Sequence, residues 1–322
     1  MNQHIKHVFI LNPAAGKGEM QHVLQEQIER VCTERGVDYE IHFTKVSGDA
    51  TEYVRSCCEQ QPDVAFRFYA CGGDGTVNET ANGAYGYENA SVGIIPVGTG
   101  NDFVRNFDGN QAFMDIAAQL DGEVVTLDLM RYNDKLCVNM INIGFDCEVV
   151  KQTAKLKRSK LIPNGMAYIA GLVITLIRKP GVKACVSLDG GEVQKRRMLL
   201  TAVANGAWCG GGFHSTPLAL LQDGVLDVLL IKNVTRVRFL TLVGKYKSGS
   251  FIDDKSARQV IDYYKCHTIQ YTFDKPQSIC VDGEVAQATV LSVSVERDAL
   301  RLVVPQGAVY APAKQTLQIG AC

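Results

Sequence analysis

Within the run Cys71-Gly72-Gly73-Asp74-Gly75-Thr76-Val77-Asn78-Glu79, three glycines surround one carboxylate, and a hydroxyl follows. Glycines let a backbone come close to a ligand, and the free N–H groups at the start of a helix favour anions. A bare carboxylate repels phosphate, so Asp74 makes chemical sense in such a loop in one of two ways. It works through a metal ion, or it takes a proton from an attacking hydroxyl. The combination reads as a phosphate-handling catalytic loop.

The elements around it have to hold this loop at the end of a strand. Val64 to Ala70 is a buried strand by its β-branched and aromatic content, and Val77, Ala81 and Ala84 then return at helical spacing. The same strand–loop–helix unit recurs three more times in the first 130 residues. Val8–Leu11 leads into Asn12-Pro13-Ala14-Ala15-Gly16-Lys17-Gly18 and a helix spaced by Met20, Val23, Leu24, Ile28 and Val31. Tyr39–Phe43 ends in Thr44, with a helix from about Asp49, and Val92–Val97 leads into Gly98-Thr99-Gly100-Asn101-Asp102 and a short helix. Such alternation implies a parallel sheet whose strand-end loops gather at one ligand-binding edge. After about residue 124 strand-like runs dominate, namely Val124–Met130, Leu136–Ile143, Val182–Leu188, Met198–Ala204, Val225–Ile231, Thr268–Phe273, Ser278–Val281 and Ala299–Val304. Helices interrupt them only near 148–178, with a break near Pro163, and near 235–250, which suggests an antiparallel sandwich. The expected division is an α/β nucleotide domain over 1–125 and a β-sandwich domain with inserted helices over 126–304. A return of 305–322 to the first domain is left open.

The bulk properties exclude several classes. A chain of 322 residues with 46% hydrophobic and 21% charged content is long enough for two cores. A net charge of -1 argues against a dedicated nucleic-acid binder. Eleven cysteines with no C-x-x-C pair suit free thiols in a reducing cytoplasm. The apolar stretch Met166–Ile177 is too short to span a bilayer, which takes about 20 residues, so a cytosolic protein is expected. Lys151, Lys155, Lys157, Arg158 and Lys160 form a basic run just before that stretch. It is either a solvated helix face or a docking face for anionic lipid headgroups.

The motifs taken together resemble the catalytic domain of the soluble diacylglycerol kinase family. Those motifs are Asn12-Pro13-x-x-Gly16-Lys17-Gly18, Gly72 to Glu79 with Asn82-Gly83 behind it, and Gly98 to Phe103. The resemblance continues through Asn205-Gly206, Gly210-Gly211-Gly212, Pro217-x-Ala219, Asp223-Gly224-x-Leu226-Asp227 and Asp282-Gly283-Glu284, so it covers nearly the whole chain. That family is similar to sphingosine kinases and, more distantly, to NAD kinases and phosphofructokinases. There is no Walker motif, so a P-loop mechanism does not transfer.

The resemblance implies an ATP- and Mg2+-dependent lipid kinase, with an NAD kinase or a catalytically silent nucleotide- or lipid-binding regulator as the alternatives. It makes Asn12, Pro13, Ala14, Ala15, Gly16, Thr44, Gly72, Gly73, Asp74, Gly75, Thr76, Val77, Asn78, Glu79, Gly98, Thr99 and Asn101 the ATP-binding set. By the residues alone, Asn12–Gly18 is equally a plain tight turn and Thr44 a helix cap. Asp74 and Asp102 become a pair for a magnesium ion on the nucleotide phosphates. Asp282 and Glu284 stand as candidates for the base that accepts the lipid hydroxyl's proton, across an interdomain cleft, with the choice between them open. A second, structural magnesium is implied at Asp223 with the carbonyls of Leu220 and Val225; a metal-free hairpin turn is the other reading. The implied partners are a membrane lipid and, transiently, an anionic membrane surface; no nucleic acid is expected, and a homodimer is left open.

Overall fold

Short apolar, β-branched runs separated by amphipathic stretches should alternate strand and helix, and the first part of the chain does so. The computed structural model describes residues 4–15, 19–158, 171, 174–175 and 181–310. The chain divides into two units, Met1–Leu129 with Glu296–Pro312, and Met130–Val295 with Ala313–Cys322.

In the first unit β1 (Ile5–Leu11), β2 (Tyr39–Phe43), β3 (Ala65–Gly72) and β4 (Ala90–Pro96) are parallel, in the spatial order β2-β1-β3-β4. Between them run α1 (Glu19–Arg35), α2 (Asp49–Gln60) and α3 (Asp74–Ala84). Leu24, Ile28 and Cys32 recur four apart on α1 and bury against Phe9, Leu11, Tyr69 and Ile95 of the strands. Burying each large apolar side chain contributes about 1.5–3 kcal/mol, which holds helix to sheet. Because all four strands point the same way, the loops after Leu11, Phe43, Gly72 and Pro96 leave from one edge. After β4 come a 3-10 turn at Phe103–Asn106, the short β5 (Phe107–Asp108), a second 3-10 turn at Asn110–Met114, α4 (Ile116–Leu120) and β6 (Glu123–Tyr132).

The second unit is antiparallel. It contains β7 (Lys135–Cys137), β8 (Met140–Gly144), β9 (Val182–Leu188), β10 (Gln194–Ala204), β11 (Leu226–Lys232), β12 (Ile261–Cys266), β13 (Thr268–Val281) and most of β14 (Glu284–Val304). The order is β12-β11-β10-β8-β13-β14, and β9 pairs with both β10 and β13, which curls the strands around one core. Alternation separates the two faces. Val228 and Leu230 of β11 enter the cluster with Ile141, Ile143 and Ile279. Leu229 and Ile231 point instead to Phe145 and Val149 of α5 (Phe145–Arg158) and to Leu242 and Tyr246 of α6 (Arg236–Ser248). A short final strand, β15 (Val309–Tyr310), pairs with β5 in the first unit.

Three strand readings are corrected. Leu136–Ile143, read as one strand, is two, because the N–H groups of Val138 and Asn139 go to the Asp282 carboxylate and not to a neighbouring strand. Thr268–Phe273 and Ser278–Val281, read as two, are one strand whose register shifts between Thr272 and Gln277, where a bulge accommodates Pro276. Ala299–Val304 is only the end of a 21-residue strand. Most of the apolar stretch Met166–Ile177 lies outside the described residues. Among the described residues no helix is long and apolar enough to cross a membrane.

Candidate active site

The glycine-rich loop owes its shape to close packing that only glycine allows. A Cβ on Gly72 would lie 2.2 Å from Thr76 Oγ1, and one on Gly98 would lie 2.4 Å from the Cα of Gly73. The loops after β3 and β4 therefore touch backbone to backbone. Asn12 joins them from β1. Its amide donates to Thr76 Oγ1 at 3.1 Å, while its Oδ1 accepts the Ala14 N–H at 2.9 Å and fixes the turn through Pro13 and Ala15. Gly16 and Lys17 lie outside the described residues. Asn101 sits at φ 50, a left-handed position that Asn tolerates, and its amide donates to the carbonyls of Pro96 and Gly98.

The loop after β2 is tied in by Glu79. Its carboxylate accepts from the Gly48 N–H at 2.8 Å and the Ser47 hydroxyl at 3.1 Å, and its carbonyl accepts from Thr51. Glu79 thus buttresses the neighbouring loop from the first turns of α3. Thr44 is half-buried, with its N–H on the Leu11 carbonyl. Asn78 accepts from the Asn82 amide at 3.0 Å. Thr99 is exposed and Val77 is buried in the core.

Two carboxylates meet at this edge. Asp74 Oδ1 accepts the N–H groups of Asp102 at 2.9 Å and Phe103 at 3.3 Å, which orients the side chain. Asp102 is buried, with Arg105 Nε 3.4 Å from its Oδ1. A Cβ on Gly100 would lie 2.9 Å from Asp74 Oδ2 and 3.6 Å from Asp102 Oδ2. One small space is therefore bordered by a carboxylate oxygen from each residue and kept open by a glycine. No side chain caps the start of α3 at Gly73, whose carbonyl takes the N–H groups of Thr76 and Val77, and the N-terminus of a helix favours anions. Hard oxygen donors beside a helix N-terminus fit a magnesium ion carrying a polyphosphate, and Asp74 and Asp102 are the residues that would hold it.

In the second unit Asp282 and Gly283 have φ of 44° and 91° and link Val281 to Glu284 as a two-residue hairpin turn. The Asp282 carboxylate faces inward. It accepts N–H bonds from Val138 (2.8 Å), Asn139 (3.1 Å) and Met140 (2.9 Å), and the Cys137 thiol lies 3.2 Å away. Burial and the nearby Asp282 charge hold the Cys137 thiol far above its ordinary range. Glu284, two residues on, is exposed. The two acids therefore differ sharply in setting.

Asp223 does not sit as a metal ligand would. Its Oδ1 accepts the Val225 N–H at 3.3 Å, and its Oδ2 is 2.9 Å from Lys265 Nζ, which is also 3.0 Å from Asp227 Oδ2. A divalent ion at Asp223, with only carbonyls to complete its shell, would stand beside a fixed ammonium and be repelled by it. Among the described residues no three His, Cys, Asp or Glu side chains cluster as a metal cage. The residues here do not fit the implied structural magnesium. Of the basic run, Lys151 turns inward to Glu148 (2.6 Å) and Ser278 (3.1 Å), and Lys155 is exposed. The side chains of Lys157, Arg158 and Lys160 lie outside the described residues.

The sequence reading missed the buttressing by Glu79, the inward lock of Asp282 and the Lys265 pair. Each joins residues at least 28 positions apart.

Comparison with known proteins gives concordant results. Residues 6–132 match the model of the diacylglycerol kinase catalytic domain, and residues 139–304 match that of the YegS C-terminal NAD kinase beta sandwich-like domain. A protein of Enterobacter sp. (strain 638) named "Probable lipid kinase YegS-like" is 30% identical over 77% of this chain and 82% of its own. The diacylglycerol kinase of Bacillus subtilis (strain 168) is 27% identical over 85% of this chain and 88% of its own. A crystal structure of a diacylglycerol kinase from Bacillus anthracis shares the fold, with a TM-score of 0.69 at 21% identity, covering 96% of this chain and all of that one.

Proposed function

The chain belongs to the family of lipid kinases built on the diacylglycerol kinase catalytic domain, and we propose that it transfers the γ-phosphate of ATP to the hydroxyl of diacylglycerol, giving phosphatidic acid. Kinases of this family use ATP. The observation that carries the reading is the space bordered by Asp74 Oδ2 and Asp102 Oδ2 at the start of α3. Magnesium bound by these carboxylates would neutralise charge on the transferring phosphoryl group. The chain's own contribution is positioning. Backbone N–H groups at the start of α3 hold phosphate oxygens, Asn12 fixes the Thr76 hydroxyl, and the glycines admit the nucleotide closely.

The general base is Glu284. Asp282 already accepts three backbone N–H bonds, so its part is to shape the turn that presents Glu284. Glu284 takes the proton of the lipid hydroxyl as the O–P bond forms, and ADP leaves. The protein works in the cytoplasm and visits an anionic membrane surface to reach its substrate.

The test is transfer of labelled γ-phosphate from ATP, with Mg2+, to diacylglycerol in mixed vesicles, to sphingoid bases and to NAD. The Asp74→Asn variant runs alongside. Label in phosphatidic acid that vanishes in the variant supports the reading, with the melting temperature little changed. Label in another lipid keeps the reaction and replaces the acceptor. Label in NADP alone, or undiminished transfer by the variant, refutes the proposal.

A further inference from the structure

We infer that the Asp223 turn carries its own cation, the ammonium of Lys265, and that the fold of the second unit does not depend on a divalent ion. The placement follows from strand register. In the antiparallel pairing of β11 with β12, Asp227 lies directly opposite Lys265, so the two side chains share a face. Asp227 is fully buried, and its second oxygen accepts the Tyr263 hydroxyl at 2.6 Å, two residues along the same face from Lys265. From there Lys265 Nζ reaches Asp223 as well, with 2.9 Å to Asp223 Oδ2 and 3.0 Å to Asp227 Oδ2.

The ammonium is thus held between two carboxylates, the position that a divalent ion would otherwise neutralise. The remaining Asp223 oxygen closes the turn onto the Val225 N–H, and Gly224 takes the left-handed conformation, φ 71°, that the turn needs. Charge, register and turn geometry are satisfied by the chain alone. A buried carboxylate must be paired, and here a side chain and not a solute supplies the pair.

The test uses the full-length protein without nucleotide and follows the fluorescence of Trp208, the only tryptophan, which lies in the second unit. Thermal unfolding is recorded in EDTA and then with excess Mg2+ or Ca2+, for wild type, Asp223→Asn and Lys265→Met. An ion that binds only the folded state raises the midpoint by mass action. The expected result is a wild-type midpoint that moves by less than about 1 °C between EDTA and either ion. Lys265→Met should melt at least about 5 °C lower in EDTA, because two acids lose their counter-charge. A cation response that persists in Asp223→Asn arises elsewhere and leaves the inference standing. A wild-type midpoint that falls in EDTA, recovers with Mg2+ and loses that response in Asp223→Asn overturns it. So does a Lys265→Met protein as stable as wild type in EDTA, and the wild-type arm decides alone if that variant does not fold.

Discussion

Gly100→Ala tests whether the space between the two carboxylates does the chemistry assigned to it. Gly100 does not sit in the positive-φ region, so alanine brings no backbone strain there, and its methyl would arrive 2.9 Å from Asp74 Oδ2. Ordinary contact begins at 3.4 Å, so the carboxylate must rotate away. It cannot do so freely, because Oδ1 holds the N–H groups of Asp102 and Phe103. Weakening one such charge-assisted bond costs about 1.5–3 kcal/mol, which sets the expected loss of stability. The kinetic effect should be larger in proportion. A misplacement of about 1 Å at a reacting centre lowers rate about 10²-fold, equivalent to about 2.7 kcal/mol of transition-state stabilisation. The assay is initial-rate phosphoryl transfer to diacylglycerol vesicles across a Mg2+ titration, beside a thermal melt. The expected protein is folded, with kcat down at least about 10²-fold and a higher Mg2+ requirement. Wild-type kcat with an unchanged Mg2+ dependence would refute the assignment of that space.

Two further predictions concern other carboxylates and a buried ring. Glu284→Gln should lower kcat by about 10²–10⁴-fold at unchanged melting temperature, whereas Asp282→Asn should lose about 3 kcal/mol of stability, because an amide cannot accept from three converging N–H groups. Urea unfolding and turnover, measured on both, would show the roles reversed if the assignment is wrong. Burial, reinforced by Arg67, pulls His7 down to about 4 while its ring bonds Tyr69 Oη at 2.9 Å. An unfolded ring takes up its proton near 6.5, so this contribution is complete above pH 6.5 and is lost as pH falls toward 4, by up to about 3 kcal/mol. His7→Gln should flatten that acid limb, and parallel stability curves for variant and wild type would dismiss the effect.

The first unit was largely legible because its information is local. Each strand, its glycine loop and its helix are contiguous, and apolar period marks where one gives way to the next, as at Ala65–Gly72 and Asp74–Ala84. The second unit was less so, because its decisive contacts join distant residues. Asp-Gly at 282–283 was readable as a turn, but not that its carboxylate would interrupt the strand at Val138 and Asn139. Lys265 carried a signal only in hindsight of register: nothing near it in sequence indicates that it faces Asp227. The opposite happens around Pro276, where Thr268–Phe273 and Ser278–Val281 look separate in sequence but a bulge lets one strand run past the proline.

The long strand β14 has a consequence for biosynthesis. Its last residues belong to the first unit, where Leu302 pairs in parallel with Val92 of β4, and both are fully buried. The ribosome therefore delivers the phosphate-handling loops first, and the strand that seals their sheet only after the whole of Met130–Val295 has been made. At about 5–20 residues per second the emerging β4 waits roughly 10–40 s with an open edge. Such an edge invites pairing with another chain, so the nascent protein is most in need of a holding chaperone during that interval. Premature termination anywhere before Leu302 should release an aggregation-prone fragment and not a working half-enzyme.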